Sequence, residues 1–138
     1  MRKVRSVAVL LGALGLAFSE PAAGLFTKTY VFKANTRLEV GADVAEGLRL
    51  DSVTLKLPEE GPPFAEVVLS NLGSKSRKVG IALALVNGDN HLVAATSGGT
   101  KLFPLRPGRQ MTYRLVFDGV HREAADAAVF MLAIETSP

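Results

Sequence analysis

From Phe26 to Glu135 apolar side chains recur at every second position in short runs, and nearly every run stops at Gly, Pro, Asn or Asp. A two-residue period places alternate side chains on opposite faces of a strand, so this pattern selects half-buried β-structure over helix. Phe26–Lys33 predicts a first strand, and a short segment at Arg37–Val40 follows. Gly41 and Gly47 bracket Ala42–Glu46, which reads as a turn or one helical turn. In Leu48–Leu57, Val53, Leu55 and Leu57 share one face and Ser52, Thr54 and Lys56 the other, predicting a core side and a wet side. The Pro58–Pro63 run ends it, since proline cannot donate to a ladder. Phe64–Leu69 is the next strand, and Asn71–Ser76 a polar connection.

Lys78–Asn87 differs from its neighbours. Val79, Ile81, Leu83 and Leu85 line one face while Gly80, Ala82, Ala84 and Val86 line the other, and neither face is polar. Such a strand is expected to be central and covered on both sides, by a loop of the same chain or by another molecule. Gly80, Ala82, Ala84 and Val86 are therefore the candidate interaction face. Asn87–Asn90 is a turn sequence that makes a hairpin with His91–Ala95. Ser97-Gly98-Gly99 reads as a break, and Leu105–Arg109 as a Pro-Gly turn leading into Met111–Phe117. His121–Ala128 is compatible with a turn or two of helix, and Val129–Glu135 closes the domain as a strand. About eight short strands at this spacing predict an all-β antiparallel sandwich of the immunoglobulin or fibronectin type III kind, with a small barrel as the alternative.

The amino terminus is a separate unit. Arg2, Lys3 and Arg5 precede a twelve-residue apolar run from Val7 to Phe18, and small residues at Ala17 and Ser19 suit a signal peptidase. Cleavage is expected before Glu20, with a second choice after Gly24. The run falls short of the roughly 20 residues that a spanning helix needs. Residues 1–19 are read as a cleaved signal peptide, 20–25 as a short tail and 26–138 as one domain, exported to the periplasm or the exterior. The chain has 16 Lys+Arg and 13 Asp+Glu; loss of three basic residues with the signal leaves 13 of each sign. That balance argues against a nucleic-acid or anionic-membrane partner. There is no cysteine, so no disulfide framework is available.

The stretch from Phe64 to Glu135 resembles the FxLYD-type domains of exported prokaryotic proteins. The resemblance lies in the Asn71-Leu72-Gly73-Ser74 loop, the Val79–Asn87 strand, the Gly88–Val93 turn and strand, and Leu105–Gly108 before an alternating strand. At Leu83-Ala84-Leu85-Val86-Asn87, Leu85 matches the naming pattern, while Leu83, Val86 and Asn87 replace Phe, Tyr and Asp. The resemblance implies an immunoglobulin-like or fibronectin-like sandwich that serves as a general extracellular module.

Catalytic chemistry finds little purchase. Cysteine and a Gly-x-Ser-x-Gly elbow are absent, and of the two histidines His91 sits immediately after a turn and His121 in a connector. Zinc sites take three or four ligands at motif spacing. Asp43, Glu46 and Asp51 lack the alternation of a calcium loop and read as solvated turn carboxylates. Ser97–Lys101 lacks the spacing of a phosphate loop. No catalytic residue, metal or cofactor is assigned. The expected function is a non-enzymatic interaction or structural module of the envelope or exterior, with another envelope or extracellular protein as partner. The alternative is a small-molecule, metal or glycan-binding module using the loops at 41–47, 87–91 and 97–101; a hydrolase is a distant third.

Overall fold

The computed structural model describes residues 24–118 and 127–137. The expected signal peptide and residues 121–126 of the expected helical turn at 121–128, His121 among them, lie outside them; Ala127 and Ala128, the last two residues of that turn, instead open a strand. Eight strands run in chain order as β1 (Gly24–Val31), β2 (Leu38–Ala45), β3 (Leu48–Lys56), β4 (Phe64–Asn71), β5 (Lys78–Asn87), β6 (Leu92–Gly99), β7 (Gln110–Val116) and β8 (Ala127–Ser137). They form two four-stranded antiparallel sheets, ordered β1-β8-β5-β6 and β2-β3-β4-β7. The protein is all-β across the described residues, as the two-residue period requires. Gly24 and Leu25, expected in a tail, open β1 opposite Thr136 and Glu135.

One core lies between the sheets. Leu48, Leu50, Val53 and Leu55 of β3 and Ala65, Val67 and Leu69 of β4 join Ile81, Leu83 and Leu85 of β5 and Phe130, Leu132 and Ile134 of β8. Each large side chain removed from water contributes about 1.5–3 kcal/mol before its entropy cost. Phe130 anchors one end, with the rings of Tyr30 and Phe32 centred 5.3 and 5.6 Å from its own.

Three local expectations are corrected by the pairing. Ala42–Glu46 is not a helical turn: β2 runs through to Ala45, with register shifts between Glu39 and Ala42 and between Asp43 and Ala45. Gly41, at φ 63°, lets an extra residue bulge out of the ladder where a break was expected. In β3 the register slips between Leu50 and Ser52, which sets Leu48 and Leu50 on the same side as Val53 and Leu55 and makes Asp51 the extra residue. Ser52 and Thr54, expected wet, are 1% and 8% exposed.

The third correction is Ser97-Gly98-Gly99, which stays within β6 and pairs with Ala82, Ile81 and Gly80. A Cβ on Gly98 would sit 2.3 Å from Leu115 Cδ2, and one on Gly99 would sit 2.0 Å from the Val79 carbonyl oxygen. Close approach, not a break, is what these glycines permit.

Candidate docking face, basic groove and buried acid

The β5 strand is central as expected, hydrogen-bonded to β8 on one side and β6 on the other. Its second face is not covered as expected. Gly80 and Ala82 are exposed, Ala84 is half-buried and Val86 is buried. Apolar residues on both faces signalled a strand inside its sheet, which pairing alone satisfies; the small side chains then tolerate water.

Register extends this surface across all four strands. Ala82 lies between Ala133 and Ser97, Ala84 between Met131 and Ala95, and Val86 between Val129 and Leu92. Thr27, Thr29 and Val31 of β1 continue the rows beside Ala133, Met131 and Val129. The charges in these rows stand at one end, where Lys78 and Glu135 flank Gly80. The opposite sheet is built differently. Its outer face carries Glu39, Ser52, Lys56, Glu66, Thr112 and Arg114, and Arg114 stacks 3.8 Å above the Phe64 ring. A polar depression of about 360 Å³ opens there over Ser52 and Thr54. One sandwich thus has one ionic face and one nearly uncharged face.

The three loops expected to share a ligand site do not meet. Residues 87–91 join β5 to β6 at the end opposite to the β2–β3 turn and the β6–β7 connection. Asn87 Oδ1 already accepts from the backbone N–H of Asp89 and of His91, at 3.0 and 2.9 Å, so its oxygen serves the hairpin. Among the described residues no group of three or more His, Asp or Glu is placed to hold a metal ion.

At the other end, residues 100–109 cross between the sheets and leave an open groove of about 680 Å³ against β7. Leu102, Phe103, Met111 and Tyr113 give it apolar walls, and Lys101, Arg106 and Arg109 contribute its charge. The loop is pinned twice. The Thr100 N–H donates to the Val79 carbonyl at 2.9 Å, and Leu105, buried at 2% exposure, exchanges backbone hydrogen bonds with Arg77 at 2.8 and 2.9 Å. Asn71 Nδ2 donates to the carbonyls of Leu105 and Lys75 at 2.9 and 2.8 Å, tying the β4–β5 and β6–β7 connections together.

Asp51 was expected in solvent and is buried at 6% exposure. Arg49 Nε and Gln110 Nε2 donate to its carboxylate at 2.8 and 3.0 Å, and the Ser70 hydroxyl donates as well. Burial pushes this carboxyl up, but the three hydrogen bonds and the Arg49 charge outweigh it and hold the pKa below its ordinary value. Three strands, β3, β4 and β7, are thereby tied at one point. Sequence reasoning missed the site because the bulge that turns Asp51 toward Ser70 and Gln110 is invisible in the alternation.

No family model matches the chain, and no curated protein matches it. Among solved structures, the Salmonella enterica trimeric lipoprotein SadB is similar over 96% of this chain and 69% of its own, with a TM-score of 0.45 and 12% identity. The enzymatically active domain of bacteriophage CBA120 tailspike protein 4 is similar over 89% of this chain and 18% of its own, with a TM-score of 0.30 and 11% identity. Likeness at these levels transfers neither protein's role to this chain.

Proposed function

We propose that this chain is an exported, non-enzymatic interaction module of the bacterial envelope or exterior, and that it docks another protein on the outer face of the β1-β8-β5-β6 sheet. The observation that carries this reading is the contrast between the two outer faces. Exposed apolar surface costs free energy in water and is rarely extensive on a protein that works alone. Gly80, Ala82, Ala84, Ala95 and Ala133 make the middle of this face flat, so a partner's backbone can approach closely. Threonines along β1 leave hydroxyls for hydrogen bonds at the rim. In this reading the domain is immunoglobulin-like or fibronectin-like in architecture: two four-stranded antiparallel sheets around one core, with a strand order of its own.

The test is a pull-down from envelope extract with the tagged chain, run beside light scattering on the purified protein. A stoichiometric partner lost on Ala82→Lys, but kept on Thr112→Lys of the opposite sheet, supports the reading when both variants keep the wild-type circular dichroism. Capture that Ala82→Lys leaves intact overturns it.

A further inference from the structure

We infer that the groove end of the sandwich is a peripheral docking surface for an anionic lipid bilayer, with Leu102 and Phe103 entering the interface and Lys101, Arg106 and Arg109 meeting the headgroups. Overall charge balance conceals how the charges are sorted. From Val67 to Phe117 the chain carries seven Lys and Arg and a single acid, Asp89, which lies in the hairpin turn at the far end. Six of those seven, all but Arg114, belong to the two pinned connections and the first residue of β5. Of the acids nearest this end, Asp51 is buried and already engaged by Arg49, Ser70 and Gln110, while Asp43, Glu46 and Glu135 sit on β2, in the β2–β3 turn and on the outer face of the other sheet; none of the four lines the groove.

The apolar part is equally local. Leu102 and Phe103 are 88% and 72% exposed, and Met111 beside them is 47% exposed. They are not loose side chains that a small movement would bury. Thr100 is fastened to Val79, and Leu105 is fastened to Arg77 and Asn71, so the four residues between the fasteners bow outward from a fixed base. Hydrophobic side chains held in water beside cations suit the bilayer interface, where acyl chains take the first and phosphates the second. A protein partner of acidic character would satisfy the cations but would need its own pocket for Phe103. A small anion would leave Leu102 and Phe103 in water. This surface is separate from the sheet face proposed above and would hold that face upright, clear of the membrane.

The chain has no tryptophan, so Phe103→Trp places one reporter at the tip of the loop in the full-length protein. With vesicles of phosphatidylcholine and phosphatidylglycerol, its emission should shift to the blue and be quenched by brominated acyl chains. Pure phosphatidylcholine vesicles should give a much smaller shift. Val31→Trp, on an exposed residue at the opposite end, should stay unshifted. Adding Arg106→Gln and Arg109→Gln to Phe103→Trp should weaken partitioning by about fivefold per charge removed, and added salt should do the same. Unchanged Phe103→Trp emission overturns the inference, as does an equal shift with neutral vesicles or an equal shift at position 31. A shift produced by glycerophosphate alone would assign the groove to a small anion instead.

Discussion

Gly99 and Gly80 face each other across β5 and β6, yet only one of them has to be glycine. At Gly99 the backbone holds φ at 138°, a region that L side chains rarely adopt, and an added Cβ would lie 2.0 Å from the Val79 carbonyl oxygen and 3.1 Å from Gly80 Cα. Both obstacles are backbone, so no rotamer change relieves them. Strain at such a φ costs about 1–3 kcal/mol. Overpacking against atoms that cannot move adds about 1–3 kcal/mol. Moving the Val79 carbonyl also disturbs its hydrogen bond from the Thr100 N–H. Gly99→Ala should therefore lose about 2–6 kcal/mol, a large share of the roughly 5–15 kcal/mol that stabilises a typical domain. At Gly80 an added Cβ meets nothing within 4 Å and φ lies outside the left-handed region. Gly80→Ala should be neutral or gain up to about 1 kcal/mol through a less flexible unfolded chain. Urea unfolding followed by far-ultraviolet circular dichroism measures both, with slopes compared to confirm that the unfolded states match. A Gly99→Ala midpoint close to wild type, or losses of similar size at the two positions, would refute the steric argument.

Asp51→Ala should cost about 1–3 kcal/mol, because it leaves the buried Ser70 hydroxyl without its acceptor and unties Gln110 from β3. Since the folded carboxyl titrates below its unfolded value of 3.8, its stabilisation is complete above that pH and fades as pH falls through the folded value. Wild type should accordingly lose stability on acidification below about pH 4 more steeply than Asp51→Asn, and parallel acid melts would count against the network. Tyr30→Phe should keep or slightly raise the melting temperature: among the described residues its buried hydroxyl has no hydrogen-bond partner, while the ring keeps its contact with Phe130. A loss above about 1 kcal/mol would mean that the hydroxyl is partnered.

Strand existence was legible because burial on one face of a sheet writes itself as alternation. β5 was read to the residue, and β4, β7 and β8 within a few positions, since each ends at a turn or reaches the core with Val, Leu, Ile or Phe. Glycine was the misleading letter. The same residue that ends strands elsewhere builds the Gly41 bulge and lets β6 press against β5 and Leu115. The sorting of charge was not legible for another reason: a sum over the chain carries no position, and only the pinning of residues 72–78 and 100–109 to Asn71 and Leu105 gathers the cations at one end. The candidate face fell between these cases. Its residues were visible as the second face of β5, but its extent depended on β1, β6 and β8 lining up beside them.

The pairing of β8 between β1 and β5 orders events in time as well as space. The β2-β3-β4-β7 sheet can close once Val116 has been made, whereas β1 waits beside no partner until the chain has advanced through Ser137. A chain threaded through a membrane from its amino end would arrive on the far side with one sheet complete and the other split into a lone strand and a hairpin. The last eleven-residue strand then works as a keystone: its arrival seals the core and, in the same step, completes the nearly uncharged outer face. Until β8 has paired with both β1 and β5 that surface does not exist as one continuous face.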